Sequence, residues 1–214
     1  MAVRAILFDT RSIQRYIFSG TKRKTNIGAS FIVEKLFDRI LVQKVLSRRY
    51  GDRLDGTSWK SRTENITDLP TDCYVAYIGG GNALVLLTAE GEDQRKEIVK
   101  DFTRILLTTY PGLQTGAALG DIELDTAERP QAFKDSLDLM YQKLKQDQNT
   151  VYPAVNVPYT GLTLSCDING EAANSYDEQG LVAGDGQPRF FSQEVQAKTK
   201  AARDVFCQVK IPIF

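Results

Sequence analysis

The chain has 214 residues, 27 Lys+Arg against 27 Asp+Glu, and no histidine. That size and balance bound it to one large globular domain, or one with an appendage, and give no global pull toward nucleic acid or an anionic membrane. The missing histidine excludes Ser-His-Asp and Cys-His nucleophile pairs and His-ligated zinc, leaving carboxylates, hydroxyls, backbone amides and Lys/Arg to carry any chemistry. No apolar run approaches the roughly 20 residues that span a bilayer. Three dispersed cysteines, Cys73, Cys166 and Cys207, predict a reducing cytoplasm and no disulfide framework.

In chain order, Val3 to Phe8 is a short run, apolar but for Arg4, and reads as a buried strand. It puts Asp9 at the strand's C-terminal tip. A short helix follows over Ser12–Phe18, then the basic triplet Lys22-Arg23-Lys24. Asn26, Gly28 and Ser30 lead into a long amphipathic helix over about Ser30–Tyr50, with Ile32, Val33, Leu36, Phe37, Ile40, Leu41 and Val45 on its apolar stripe. A helix opened by such residues offers free N–H groups and a dipole to a phosphate. Ordinary capping by Asn26 or Ser30 accounts for them equally well.

Gly51 to Pro70 is a polar excursion holding the lone Trp59. Two β-prone runs then flank Gly79-Gly80-Gly81-Asn82, a hairpin signal because a tight turn needs residues that accept positive φ. A helix over Glu92–Tyr110, a strand over Gln114–Leu124 and a helix over Pro130–Gln146 complete the pattern, with Pro130 suited to the last helix's first turn. The order is β-α-β-β-α-β plus one helix, an α+β ferredoxin-like arrangement. Its connectivity makes the first strand a neighbour of the hairpin, so Asp9 and Gly79–Asn82 are expected close together.

Beyond Gln146 the composition turns to Gly, Pro, Asn and Asp, with a short strand-like Leu162–Cys166. We therefore expect a palm-sized domain over residues 1–148 and an irregular extension over 149–214. The apolar end Val205–Phe214 predicts that the native chain continues into another domain.

An apolar strand ending in Asp9, then Ile13-Gln14 and Tyr16-Ile17-Phe18, then Gly28-Ala29-Ser30, then Tyr77-Ile78-Gly79-Gly80-Gly81-Asn82, resembles the first palm domain of the large subunit of type III CRISPR effector complexes. The resemblance covers Val3 to about Gln146. Cys166-Asp-Ile-Asn169-Gly170 is similar to the zinc knuckle that follows this palm, with Asn169 where the second cysteine stands. Four-ligand zinc cannot form from these residues, and a metal-free linker is expected.

The resemblance implies a cytoplasmic antiviral protein in which two palms hold ATP between them, and the second palm carries an acidic Gly-Gly-Asp-Asp hairpin. This chain looks like the first, supporting palm. It would bind nucleotide through Asp9, Gly28, Ser30, Gly79, Gly80, Gly81 and Asn82, with Asp9 holding Mg²⁺ or capping the helix after it. Its partners would be ATP or a related nucleotide, a second palm in the same chain or another, and ribonucleoprotein subunits. Two-metal transfer needs several carboxylates, and this turn supplies none, so the isolated chain is expected to be catalytically silent.

Two other readings are an inactive palm-derived scaffold and an RNA-binding module. The second needs aromatics alternating on an exposed sheet face. Tyr74 and Tyr77, three apart in a regular strand, would point to opposite faces.

Overall fold

The computed structural model describes residues 2–62, 66, 68–88, 91–150, 164–180 and 186–209. They group into two compact units. The first comprises Met1–Arg11, Leu36–Ile105 and Gln114–Tyr152, and the second Ser12–Lys35, Leu106–Leu113 and Pro153–Phe214. The boundary expected at 148 follows chain order. The contacts instead draw two earlier segments into the second unit.

The first unit is built on strand β1 (Ala2–Arg11), whose apolar residues favour burial on both faces. Strands β3 (Cys73–Gly79) and β4 (Asn82–Leu87) form the hairpin, and β5 (Gln114–Glu123) lies beyond β1. A two-residue strand β2 (Leu54–Asp55) runs parallel to β3 at the edge. The sheet order is β2-β3-β4-β1-β5, with β1 antiparallel to both β4 and β5. Without β2, this is the ferredoxin-like order that the connectivity predicts.

One sheet face carries Ile6 and Phe8. Phe8 packs edge-on against Phe102 at 4.9 Å between ring centroids and lies 6.2 Å from Phe37. Phe37 and Phe102 stack on each other at 5.8 Å. Phe102 belongs to helix α4 (Glu92–Thr109). The other face carries Ala5, Leu7, Leu84 and Leu86, packed with Met140 and Leu144 of helix α5 (Ala132–Thr150). Helices thus lie on both faces. α5 starts two residues after Pro130, so that proline is not in its first turn. The Asp125 carboxylate instead accepts from the free N–H of Phe133 at 3.0 Å, satisfying one orphan donor of that turn.

The long helix begins earlier than its sequence suggests. Helix α2 runs over Arg23–Leu36, leads into a π-helical stretch at Phe37–Leu46, and closes in α3 (Ser47–Tyr50). The wider π turn buries Phe37, Ile40, Leu41, Val42, Val45 and Leu46 together, a broader stripe than an α period gives.

The second unit contains α1 (Ile13–Ile17), most of α2, a ribbon of β6 (Ser175–Asp177) and β7 (Arg189–Phe191), and α6 (Gln193–Val209). Cys166, Ile168, Phe191 and Val195 form its small apolar cluster. At the knuckle-like turn, Cys166 Sγ accepts from the Ile168 N–H at 3.4 Å. Asn169 Oδ1 accepts from the Glu171 N–H at 3.3 Å and from Ser192 Oγ at 3.1 Å. Hydrogen bonds of the chain itself close this turn. Residues 162 and 163 of the expected short strand lie outside the described set, and Ser165 makes an isolated bridge to Ala172. Among the described residues no helix is long and apolar enough to cross a membrane.

Candidate functional site

Asp9 lies within β1, which continues to Arg11, and Ser12 occupies the N-cap position of α1. Asp9 is therefore no helix cap. Its cross-strand partners are Asn82 on β4 and Gly116 on β5, and Asn82 in turn faces Gly79 on β3. Four residues, Gly79, Asn82, Asp9 and Gly116, thus form one row across the end of the sheet. Alternation puts them all on the α5 face, the face of Leu7 and Leu84. Directly opposed residues on one face have Cβ atoms about 4.5–5.5 Å apart, so Asp9 and Asn82 are close enough to share one ligand. The adjacency inferred from connectivity is present.

The turn itself is tight. Gly80 and Gly81 have φ of 61° and 87°, positive at both central positions as a two-residue type I′ hairpin requires. The Thr10 N–H donates to the Gly81 carbonyl at 2.8 Å, fastening the turn to the tip of β1. Backbone geometry thus explains Gly80 and Gly81. It does not explain Gly79, whose φ is ordinary and where an added Cβ would meet nothing within 4 Å. That position is exposed, open surface beside the Asp9–Asn82 pair.

Asn82 Oδ1 is buried with no hydrogen-bond partner among the described residues. An unsatisfied buried acceptor costs about 1–3 kcal/mol, so this oxygen is suited to a donor or a cation. It tests the fit of Mg²⁺. One carboxylate and one amide oxygen on adjacent strands are hard oxygen donors that suit a single such ion completed by phosphate and water. They do not suit two, since among the described residues no group of three His, Cys, Asp or Glu could hold a metal. Thr10 Oγ1 is likewise buried and without a partner among the described residues, but alternation points it to the opposite face.

Tyr77 adds a wall that the sequence misplaces. The register shifts between Val75 and Tyr77, leaving Ala76 as an extra residue. This bulge turns Tyr77 toward Leu84, while Tyr74 faces Leu86, so both tyrosines share the α5 face. The expectation of opposite faces fails because a bulge breaks the period of two. The pair still makes no stacking platform: Tyr74 is buried, with the Arg62 guanidinium 4.4 Å from its ring centre. The Tyr77 hydroxyl meets that of Tyr141 at 2.5 Å.

Burial, the hydrogen bond to Tyr141 and the nearby Asp9 carboxylate hold Tyr77 protonated above the usual tyrosine range, and burial does the same for Tyr16. Their unfolded pKa is about 10, so the folded state binds more protons than the unfolded state above that pH. The stability this contributes is present below about pH 10 and declines above it. In an ultraviolet titration, two of the nine tyrosines should ionise late, together with unfolding. Tyr77→Phe should remove one of them.

Gly28 and Ser30 do not open a helix. Both lie inside α2, which starts at Arg23, and the Ser30 hydroxyl donates to the Asn26 carbonyl at 3.0 Å. Interior amides of a helix are used in its own hydrogen bonds, so neither offers an N-terminal anion site. A Cβ on Gly28 would fall 1.8 Å from the Lys198 carbonyl oxygen, which explains the glycine as a packing residue. Gly116 and Tyr77 join the site instead. Only the strand pairing could have revealed the first, and nothing in the sequence marks the bulge that turns the second.

No protein-family model and no curated protein matches the chain. Among solved structures, a bacterial light-regulated adenylyl cyclase is similar at 12% identity with a TM-score of 0.37. The match covers 95% of this chain and 58% of the cyclase chain, so the chain spans less than two thirds of that protein.

Proposed function

We propose that this chain is a nucleotide-holding palm: a supporting domain of a cyclase or polymerase like the type III CRISPR large subunit. It binds ATP or a related nucleotide and transfers no nucleotidyl group by itself. The observation that carries the reading is the Asp9–Asn82 pair beside the hairpin mouth, with the Asn82 amide oxygen buried and without a partner among the described residues. Gly79 and Gly116 flank that pair without side chains, leaving room for a ligand to approach the backbone.

Asp9 and Asn82 would hold one Mg²⁺, whose role there is to neutralise phosphate charge. Asp9 supplies the only negative charge of the row, Asn82 a neutral oxygen, and Tyr77 a wall fixed by Tyr141. Two-metal transfer requires further carboxylates, which a second palm, in this chain or a partner, would bring.

Calorimetric titration of ATP with and without Mg²⁺ tests the reading. Binding should require magnesium and vanish in Asp9→Ala, and Asn82→Leu should weaken it about tenfold or more, the loss of a hydrogen bond to a charged group. Gly79→Ala should leave stability within about 0.5 kcal/mol yet reduce affinity. Gly80→Ala should instead cost about 1 kcal/mol of stability through its left-handed φ. ATP binding that ignores Asp9→Ala would remove the site from this row, and an absence of ATP binding would favour a scaffold.

A further inference from the structure

A second concave surface of the first unit lies in the helical layer that covers the Phe8 face, away from the Asp9 face. A groove of about 300 Å³ runs between the helix ending at Tyr50 and α4. Lys44, Arg48 and Arg49 line one wall, and Arg104 with its ion-pair partner Asp101 lines the other. Val45 and Ile105 supply its apolar surface.

The charge pattern of this helix differs from that of its neighbour. On α4 each of Lys96, Lys100 and Arg104 pairs with an acid three or four residues before it, Glu92, Glu97 and Asp101. This is the ordinary arrangement of a solvated helix face. Between Asp38 and Asp52 the other helix carries four cations, Arg39, Lys44, Arg48 and Arg49, and no acid. Lys44, Arg48 and Arg49 are exposed and make no ion pair among the described residues. In a chain of zero net charge, Lys44, Arg48 and Arg49, with no ion pair among the described residues, share one groove with Arg104 against the single carboxylate of Asp101, which leaves an excess of positive charge there to attract an anion.

We infer that this groove binds a compact polyphosphate anion, a ligand with two or more closely spaced phosphoryl groups. Arginine forks match phosphate oxygens in bidentate fashion, and Lys44 adds a point charge. Among the described residues no aromatic side chain lines the groove, so none there supplies the stacking surface by which single-stranded nucleic acid is held. Its length of one to two helical turns suits a short anion.

The test is calorimetry with inorganic tripolyphosphate in EDTA, on the Asp9→Ala chain, so that the magnesium-dependent site plays no part. Tripolyphosphate should bind with strong salt dependence. Arg48→Glu and, independently, Lys44→Glu should each weaken it about tenfold or more, with an unchanged circular dichroism spectrum because both side chains are exposed. Under the same conditions, ATP binding equally well would mean that the phosphates alone are read. Tighter ATP binding would mean that the nucleoside also packs against Val45 and Ile105. No binding, or binding indifferent to Arg48→Glu, overturns the inference. So does a short single-stranded RNA that binds tighter and competes, which would assign the groove to nucleic acid.

Discussion

Glu194→Ala is expected to lower the stability of the folded chain by about 3–5 kcal/mol, the range for removing one partner of a buried ion pair. The Lys198 side chain is 1% exposed and that of Glu194 13%, with 2.5 Å between Nζ and Oε1. Lys198 Nζ also donates to the Tyr16 carbonyl and to Ser19 Oγ, and it sits 4.0 Å from the centre of the Tyr16 ring. Without the carboxylate, a buried ammonium is left with neutral acceptors alone.

Burial already holds Lys198 below the usual lysine range, with Glu194 opposing that shift. The variant would lower it further. Between the depressed folded value and the unfolded value of about 10.4, the unfolded chain binds more protons, so stability rises with pH across that window. The deficit of Glu194→Ala should therefore be smaller at about pH 9.5 than at about pH 7. Urea denaturation at the two pH values checks this. The double variant Glu194→Leu with Lys198→Met, which removes both charges and keeps the volume, should be more stable than the single one. A deficit that does not change with pH would show that Lys198 keeps its charge throughout.

Gly28→Ala should cost about 2 kcal/mol or more, although alanine is the better helix former. Propensity favours the substitution by about 1 kcal/mol. Against that, the new Cβ would meet the Lys198 carbonyl oxygen at 1.8 Å, its carbon at 2.7 Å and the Ala202 nitrogen at 2.9 Å. These are backbone atoms, which cannot rotate aside, so the cost falls at or beyond the upper end of the roughly 1–3 kcal/mol typical of overpacking. The clash wins. Thermal or urea unfolding of Gly28→Ala decides the matter: a glycine kept for a phosphate would instead show full stability and reduced nucleotide affinity.

Much of the first unit is legible in the chain because its signals are local and agree with each other. The run Val3–Phe8 has no polar residue but Arg4, and two positive-φ glycines sit between β-prone segments, so β1 and the hairpin follow directly. Their order then places Asp9 beside Asn82 without any knowledge of side chains. Asn26, Gly28 and Ser30 mislead because capping residues and a packing glycine use the same amino acids, and only the Lys198 backbone, 170 residues later, separates the two meanings. The basic groove is hidden for a similar reason. Lys44, Arg48 and Arg49 are unremarkable as text until Arg104 faces them across the groove.

The extra residue at Ala76 bears on how such a domain changes its chemistry. Removing that single codon would restore an unbroken ladder and leave Tyr77 opposite Leu84 and Gly79 opposite Asn82, because Tyr77 would then stand two places from Tyr74 on the same face. The phenol would stay on the Asp9 side and Ile78 on the other, with strand order and hairpin type conserved. The polarity of this wall is therefore set by the residue at Tyr77 itself, while the extra residue adds local twist and bend to β3 beside the site, so tilt and chemistry can be altered independently.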